Sequence, residues 1–329
     1  MLKYNKGEWS ELYVLIKLLK QKNISIHNTS EYYTILRVYI NMLEKVYIDL
    51  TGNNLKLNDL PLTISNAELD SAICNILNSI KTTDTTTFVI ENIKELLEKL
   101  NIQKIKQGNS FEKSDLDLQI DSKLGALDFG MSIKSDLGSK STLLNASKAT
   151  NFIFKINNLK ICKDVINSIN SKSKVKERIS LILKNSNGIE FIDLDNKTYK
   201  DNLLKIDTSL PSILANLLIK YNSSHGASLI SEVSDEKDKL QIKKFLIATA
   251  LSMVPTKEWN IFKNNMGMIL VNNEGNVSCF DLFDQSELSK YLLANIKFET
   301  ASTSRHDFGY VYEENGSSYI KLNLQLRFV

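Results

Sequence analysis

The chain has 329 residues, of which 43% are hydrophobic and 24% charged, an ordinary composition for a globular protein with a sizeable core. The 41 basic and 38 acidic residues leave a net charge of +3. That balance neither identifies nor excludes a nucleic-acid-binding protein, since an acidic site and a basic cleft cancel in the sum. No apolar run approaches the roughly 18 residues of a membrane span, and no signal peptide is visible. Three scattered cysteines indicate reduced thiols in a bacterial cytoplasm, not a disulfide framework or a zinc site.

The first hundred residues are predicted to be mainly helical. Asn5 can cap a helix that runs to about Leu19, with apolar side chains at helical spacing. Further helices are expected near residues 65–78 and 86–100. Another long helix is predicted over residues 30–50, from the spacing of Tyr33, Leu36, Ile40, Leu43 and Tyr47.

Two segments near the middle of the chain alternate strictly between apolar and polar residues, which predicts a pair of strands. In residues 114–120 the polar side chains all lie on one face of the predicted strand, and in residues 127–134 a second set of polar residues does the same. The connection between them contains a glycine and is short enough to return the chain antiparallel. The polar sets are Asp115, Asp117 and Gln119 in the first strand, and Asp128, Gly130, Ser132 and Lys134 in the second.

This pairing would bring a carboxylate and a lysine side by side at a sheet edge. Metal-dependent hydrolysis of a phosphodiester needs such a pair, because the carboxylate holds a divalent cation and the lysine polarises the phosphate or positions water. Ordinary solvated strand faces also carry these residue types, so further features are needed. Glu8 and Glu11 lie three apart on the first helix and therefore share a face. Glu8 also fits a capping box with Asn5, whereas Glu11 lies in a strongly apolar helix where a buried carboxylate needs a partner or a metal.

Two polar segments are candidate contacts with DNA. Residues 135–151 are predicted to be a Gly/Ser loop that opens into a helix, whose free N–H groups would suit a phosphate, although an ordinary capped loop has the same composition. Lys140, Ser141 and Asn145 lie in that segment. Arg305 and His306 lie in a second polar loop and could read base edges, or could pair with a nearby acid on the surface.

The remaining segments predict an α/β fold. It has a mainly helical N-terminal region (1–100), a central region with a mixed sheet (101–195), and a helical then β-rich C-terminal region (196–329). Residues 159–170 and 175–183 are predicted to be helical or mixed, and helices are predicted at 213–221 and 235–253. Strands are predicted at 189–194, 268–271, 277–280, 310–312 and 319–328, with turns at 273–275 and 315–316.

Four segments together resemble the HpaII-type family of Type II restriction endonucleases: residues 5–13, 129–152, 302–309 and 321–328. The resemblance implies the PD-(D/E)xK nuclease fold and Mg²⁺-dependent cleavage of double-stranded DNA. Residues 101–195 would then form the nuclease core, with its mixed central sheet flanked by helices, the first helix of region 1–100 would contribute to the active site, and region 196–329 would recognise the DNA. The resemblance also implies a CCGG-like target and a partner methyltransferase that protects the host. A palindromic target would favour a homodimer.

The sequence departs from the plain PD-(D/E)xK pattern, because Ser132 stands where the second acid is expected. A hydroxyl cannot replace a carboxylate as a ligand of a hard cation. Our hypothesis is that Glu11 or Glu8 supplies the missing charge, with the Ile133 carbonyl completing the coordination. Asp117, flanked by leucines, is the favoured aspartate beside Glu11, and Asp115 and Asp128 are held in reserve. Lys134 would position or activate the attacking water.

Two other functions remain open at this stage. A nuclease fold could serve DNA repair or structure-specific cleavage, or Ser132 could mark the lost acid of an inactive DNA-binding protein. An ATP-driven enzyme is not expected, because the sequence has no Walker-type phosphate loop.

Overall fold

The computed structural model describes residues 2–41, 45–102, 113–158, 163–223, 233–260 and 266–329. Within those ranges, no helix combines the length and apolar character that a membrane crossing requires. The α-helices of the described residues are α1 (Lys6–Gln21), α2 (Asn66–Thr82), α3 (Lys94–Lys99), α4 (Lys163–Asn170), α5 (Val175–Asn185), α6 (Lys197–Ile206), α7 (Leu210–Ser223), α8 (Glu236–Leu251), α9 (Ser286–Asn295) and α10 (Thr303–His306).

The strands of the described residues are β1 (Lys3–Asn5), β2 (Asn23–Ile26), β3 (Tyr32–Asn41), β4 (Val46–Asp49), β5 (Lys56–Leu57), β6 (Leu60–Pro61), β7 (Thr87–Val89), β8 (Leu116–Ser122), β9 (Gly125–Ser135), β10 (Thr142–Leu144), β11 (Asn151–Ile156), β12 (Ile189–Leu194), β13 (Met266–Val271), β14 (Val277–Cys279), β15 (Ile296–Phe298), β16 (Val311–Glu314), β17 (Ser317–Asn323) and β18 (Leu326–Phe328).

The chain forms two compact units. The first comprises Met1–Ser141 and Ile261–Leu288, and the second comprises Thr142–Asn260 and Ser289–Val329. These boundaries fall elsewhere than the three ranges predicted from the sequence. The reason is that β9 pairs in parallel with β13, so a distant segment completes the sheet of the first unit.

The first unit is built on a mixed sheet with the order β2-β14-β13-β9-β8-β3-β4-β5-β6. β2 also pairs with β3, so six of these strands form a closed circuit. The β8–β9 pair is the predicted antiparallel hairpin. It is flanked by β3 and β13, so the prediction that it lies at a sheet edge is wrong.

Helices α1 and α2 form the core of the first unit with the apolar side chains of this sheet. Trp9, Leu12 and Ile16 of α1 are buried, and the same apolar cluster includes Leu118 of β8 and Met131 of β9. Apolar residues at helical spacing give α1 a wide buried stripe, and burying that stripe against the sheet is the main stabilising contribution.

The helix predicted over residues 30–50 is wrong, because β3 and β4 occupy that region. Of the residues that suggested the helix, Tyr33, Leu36 and Ile40 are only partly buried, and Leu43 lies outside the described residues. The buried positions of β3 are Ile35 and Val38, because a β-bulge between Ile35 and Arg37 shifts the alternation by one residue and breaks the period of two that marks a strand. The range 1–100 is therefore a mixture of strands and helices instead of mainly helical.

The second unit contains two small sheets and most of the remaining helices. One sheet has the order β12-β11-β17-β16 and the other β10-β18-β15. The predicted β-rich C-terminal part is confirmed by β15 to β18, and the strand at 189–194 by β12. The predicted helix at 159–170 begins at Lys163, and residues 159–162 lie outside the described residues.

The helix expected after the Gly/Ser loop is wrong. Residues 142–156 form β10, a single 3₁₀ turn at Lys148–Thr150, and β11. No α-helix N-terminus is therefore present in this segment to bind a phosphate.

Candidate active site

Helix α1 carries two acidic side chains of the first unit. It begins with a capping box in which the Asn5 Oδ1 accepts from the Glu8 backbone N at 3.0 Å and the Glu8 Oε2 accepts from the Asn5 backbone N at 2.8 Å. Glu8 thus has the structural role that its spacing predicted. Its charge still acts on Glu11, one turn further along the same face.

Glu11 is partly buried, and its Oε2 atom finds no hydrogen-bond partner among the described residues. Burial, and to a lesser extent the charges of Asp115 and Glu8, raise the pKa of Glu11 to about 8, while the charge of Lys134 opposes the shift. A helix residue from the start of the chain therefore shares one electrostatic environment with residues of the β8–β9 hairpin. The unsatisfied carboxylate oxygen is what a cation or a proton would stabilise.

Asp115 lies just before β8, where the hairpin ladder becomes irregular. Its backbone N donates to the Met131 carbonyl at 2.9 Å, and its Oδ2 accepts from the Ile133 backbone N at 2.7 Å. The carboxylate replaces a backbone acceptor there, so its orientation is fixed by the sheet itself.

Asp117 lies inside β8, opposite Gly130 of β9, and is buried. Its Oδ1 accepts a hydrogen bond from the Ser114 hydroxyl. Gly130 makes room for this arrangement, because a Cβ at that position would come within 3.1 Å of the Ser114 Cβ. The structure thus gives Asp117 a tightly packed place beside Ser114 and opposite Gly130.

Ser132 and Lys134 lie on β9 in the alternation that the sequence predicted. Ser132 is buried, at 2% exposure, and pairs in register with Met268, and Lys134 pairs with Leu270. The Lys134 charge stabilises ionised Glu11 and lowers its pKa against the larger opposing effects. Ser132 contributes no charge, so the negative charge near Lys134 comes from Glu11 and Asp115.

Lys113 is a residue of this site that the sequence analysis missed. Burial and the nearby Lys134 lower its pKa to about 7, and Asp115 acts in the opposite direction. Its position directly before Ser114 and Asp115 was a usable signal, because a chain that brings Asp115 to the hairpin end brings its neighbours too.

Asp128 lies at the other end of the hairpin and has neutral partners. It accepts from the Tyr39 hydroxyl at 3.1 Å and from Gln119 Nε2 at 3.0 Å. This network joins β3, β8 and β9, which gives Asp128 a structural role. The structure shows no contact that brings it to Glu11.

The oxygen donors of this site are of the type that a divalent cation requires. Among the described residues, no three His, Cys, Asp or Glu side chains already form a metal-binding cluster. A bound cation would nevertheless give the unsatisfied Glu11 Oε2 a partner. It would also reduce the electrostatic repulsion of Glu11 by Asp115 and Glu8. The residues therefore fit Mg²⁺ by chemistry and charge.

The predicted DNA contacts in the first unit have intramolecular partners. Lys140 forms an exposed ion pair with Asp136 at 2.8 Å. The Ser141 hydroxyl donates to the Ser135 carbonyl at 3.0 Å and accepts from the Ser135 backbone N at 3.2 Å, which closes the loop after β9.

The other predicted contacts belong to the second unit. Asn145 is exposed between β10 and the 3₁₀ turn, and Arg305 is exposed on α10, with His306 partly buried beside it. Arg305 has no ion pair with another described residue, so the expectation that it pairs with a nearby acid is not met.

Comparison with known proteins gives one consistent result. The family profile of the HpaII restriction endonuclease matches residues 5–328. The Type II restriction enzyme HpaII of Haemophilus parainfluenzae is 34% identical over 355 aligned residues, which cover 99% of this chain and 98% of that protein. No solved structure matches the chain.

Proposed function

The chain belongs to the HpaII restriction endonuclease family, and we propose that it is a Type II restriction endonuclease that hydrolyses double-stranded DNA at a short specific site. The structural observation that carries this proposal is the shared environment of Glu11, Asp115 and Lys134. We propose that the enzyme acts in the bacterial cytoplasm, where its DNA substrate lies. We propose a CCGG-like target and a companion methyltransferase, since cleavage of an unmodified site would otherwise destroy the host genome.

We propose that the site is a variant of the PD-(D/E)xK type in which Glu11 supplies the charge that Ser132 lacks. Asp117 and Glu11 remain the ligands favoured by the sequence. The effect of Asp115 on Glu11 adds Asp115 as a further ligand. Glu8 contributes charge while its carboxylate caps α1.

These residues would hold Mg²⁺, which when bound lowers the pKa of a water molecule and neutralises phosphate charge. Lys134 holds the attacking water or the phosphate oxygen in place through its ammonium donors. Lys113 lies beside Asp115 with its pKa lowered to about 7, and a DNA phosphate bound nearby would favour its protonated, positively charged form.

Substitution of Lys134 by alanine tests the proposal. We expect Lys134→Ala to abolish Mg²⁺-dependent cleavage of unmethylated phage DNA while specific binding, measured by gel shift in EDTA, stays within about twofold, since the lysine acts on the reacting atoms. Lys123→Ala is the matched control, because Lys123 is exposed in the β8–β9 turn. It should cleave as the wild type does.

Sequencing the ends of the wild-type products separates the alternatives. Discrete ends at one sequence identify a restriction enzyme and give its site. A smear would indicate a non-specific or structure-specific nuclease, and absence of cleavage would indicate that Ser132 marks a lost acid. If Lys134→Ala abolished binding together with cleavage, the lysine would be structural. A homodimer on a palindromic site is expected to appear as two chains per duplex in sedimentation.

A further inference from the structure

The segment that carries Arg305 and His306 is short and irregular. Helix α10 is one turn long, and Asp307 and Gly309 follow it in the left-handed region, with φ of 57° and 82°. So short a helix has little stability of its own. Its conformation therefore depends on the side chains of other elements that hydrogen-bond to its backbone.

Side chains of β11, α4 and α5 hold the backbone of this segment. Asn151 Nδ2 donates to the carbonyl oxygens of His306 at 3.0 Å and Asp307 at 3.4 Å. Arg178 Nη1 donates to the Gly309 carbonyl at 2.8 Å, and Asn170 makes two hydrogen bonds with the backbone of Val311, at 2.9 and 2.8 Å. Asn151 and Arg178 are both buried.

The same asparagine is linked to the segment that carries Asn145. Asn323 Nδ2 donates to Asn151 Oδ1 at 2.7 Å, to the Ser147 carbonyl at 2.7 Å and to Thr150 Oγ1 at 3.1 Å. Lys148 and Asp307 form an exposed ion pair at 3.7 Å between the two segments. One buried amide pair thus connects residues 145–150 with residues 303–307.

A buried amide pair is a costly way to join two segments. Both amides are desolvated, and the Asn323 Oδ1 finds no hydrogen-bond partner among the described residues, whereas apolar side chains of similar size would pack without that cost. What the amides add is direction, because each hydrogen bond fixes one backbone atom relative to another. Arg305 and Asn145 are exposed in the two segments and are of types that contact base edges.

We propose that Asn151 and Asn323 are positioning residues for DNA recognition. They hold the Arg305 segment and the Asn145 segment in one arrangement, so that both read adjoining parts of the same DNA site. The inference rests on the proposed function, and it adds that specificity is set by buried residues that do not touch the DNA.

The test measures Asn151→Asp, which keeps the shape of the side chain but removes the Nδ2 donor. We expect the Kd for a cognate duplex to rise about tenfold or more, comparable to loss of a base contact by Arg305→Ala. The Kd for a non-specific duplex should change less than about twofold, since phosphate contacts dominate that binding. Partial unfolding would weaken both affinities by the same factor, so the ratio of the two reports positioning and not stability.

Asn202→Asp is the matched control. Asn202 is equally buried in the second unit and donates to the carbonyl oxygens of Val254 at 3.3 Å and Lys257 at 2.7 Å, away from both segments. It should cost similar stability and leave the specificity ratio unchanged. If Asn151→Asp does not fold, Asn170→Ala takes its place, because Asn170 is partly exposed and holds the backbone of the same segment at Val311. This milder change should also lower the ratio of specific to non-specific affinity.

Two results would overturn the inference. One is an unchanged ratio in Asn151→Asp, or in Asn170→Ala if the first does not fold, while Arg305→Ala lowers it. The other is an equal loss of the ratio in Asn202→Asp. If the wild type shows no site-specific cleavage or binding at all, the proposed function fails instead, which is a distinct outcome.

Discussion

Glu11 combines an unsatisfied buried oxygen with a pKa raised to about 8, caused by burial first and then by Asp115 and Glu8. Between pH 4.5 and 8 the folded protein therefore holds a proton on Glu11 that the unfolded chain has released. The contribution of Glu11 to the free energy of unfolding is therefore greatest below pH 4.5 and falls as the pH rises to about 8, by at most about 1.4 kcal/mol per pH unit.

Substitution of Glu11 by glutamine should remove this pH dependence. We expect urea unfolding in EDTA to show that the wild type loses stability relative to Glu11→Gln as the pH rises from 5 to 8. The variant should also fail to cleave DNA with Mg²⁺, because a neutral amide is a weak ligand for a hard cation.

Glu8→Gln is the control for this experiment, because the glutamine oxygen can still accept from the Asn5 backbone N. It should keep most of the wild-type pH dependence. Equal slopes for the wild type and Glu11→Gln would show that Glu11 is ionised throughout this range.

At the scale of elements, local patterns predicted α1 and the β8–β9 hairpin correctly. A capping box and an apolar stripe define α1, and strict alternation defines the hairpin. The same rules failed at β3, because a bulge between Ile35 and Arg37 breaks the period of two by which a strand is identified. A bulge leaves no single-residue signal, although the β-branched and aromatic residues of β3 favoured a strand.

The site was predictable only in part for a related reason. Alternation identified Asp115, Asp117, Ser132 and Lys134 as one set. The place of Glu11 in that set depends on packing of α1 against the hairpin end, which no spacing in the sequence encodes. The Asn151–Asn323 pair is likewise formed by strands far apart in the chain.

Helix α1 also fixes the β13–β14 turn, through Tyr13. The Tyr13 hydroxyl donates to the Gly275 carbonyl at 2.7 Å, and a Cβ on Gly275 would lie 3.2 Å from Tyr13 Cζ. Gly275 also has φ +91°, which disfavours a side chain. We expect Gly275→Ala to lower the free energy of unfolding by roughly 2–4 kcal/mol, the sum of backbone strain and displacement of Tyr13.

Gly125→Ala separates these two causes. Gly125 has φ +98°, and no atom lies within 4 Å of the position of its Cβ. It should cost only the backbone strain, roughly 1–2 kcal/mol. Equal losses of stability, measured by urea unfolding, would mean that the turn moves away from Tyr13 without cost.

At the scale of the whole molecule, the chain order hides the organisation into units. Residues 261–288 complete the first unit although the whole of 142–260 intervenes. The parallel pairing of β9 with β13 brings together two apolar strands. The sequence does not show which apolar strand pairs with which, because such strands have similar patterns of residues. Each unit closes its own sheets, which favours two cooperative units of unfolding.

The two tryptophans allow this to be measured, because each unit contains one. Trp9 is buried in the first unit and donates to the Phe88 carbonyl at 3.2 Å, and Trp259 of the second unit donates to the Ser252 hydroxyl at 2.9 Å. Variants that keep only one tryptophan, the other being replaced by phenylalanine, report each unit by fluorescence during urea unfolding.

Ile76 of α2 and Ile182 of α5 are fully buried in the first and second unit respectively, and provide reciprocal perturbations. Ile76→Val should lower the free energy of unfolding seen by Trp9 by about 0.5–1.5 kcal/mol and leave the transition seen by Trp259 in place. Ile182→Val should do the reverse. If each substitution moved both transitions equally, the chain would unfold as one unit. The positioning of Arg305 by Asn151 would then depend on the stability of the first unit as well as on that of the second.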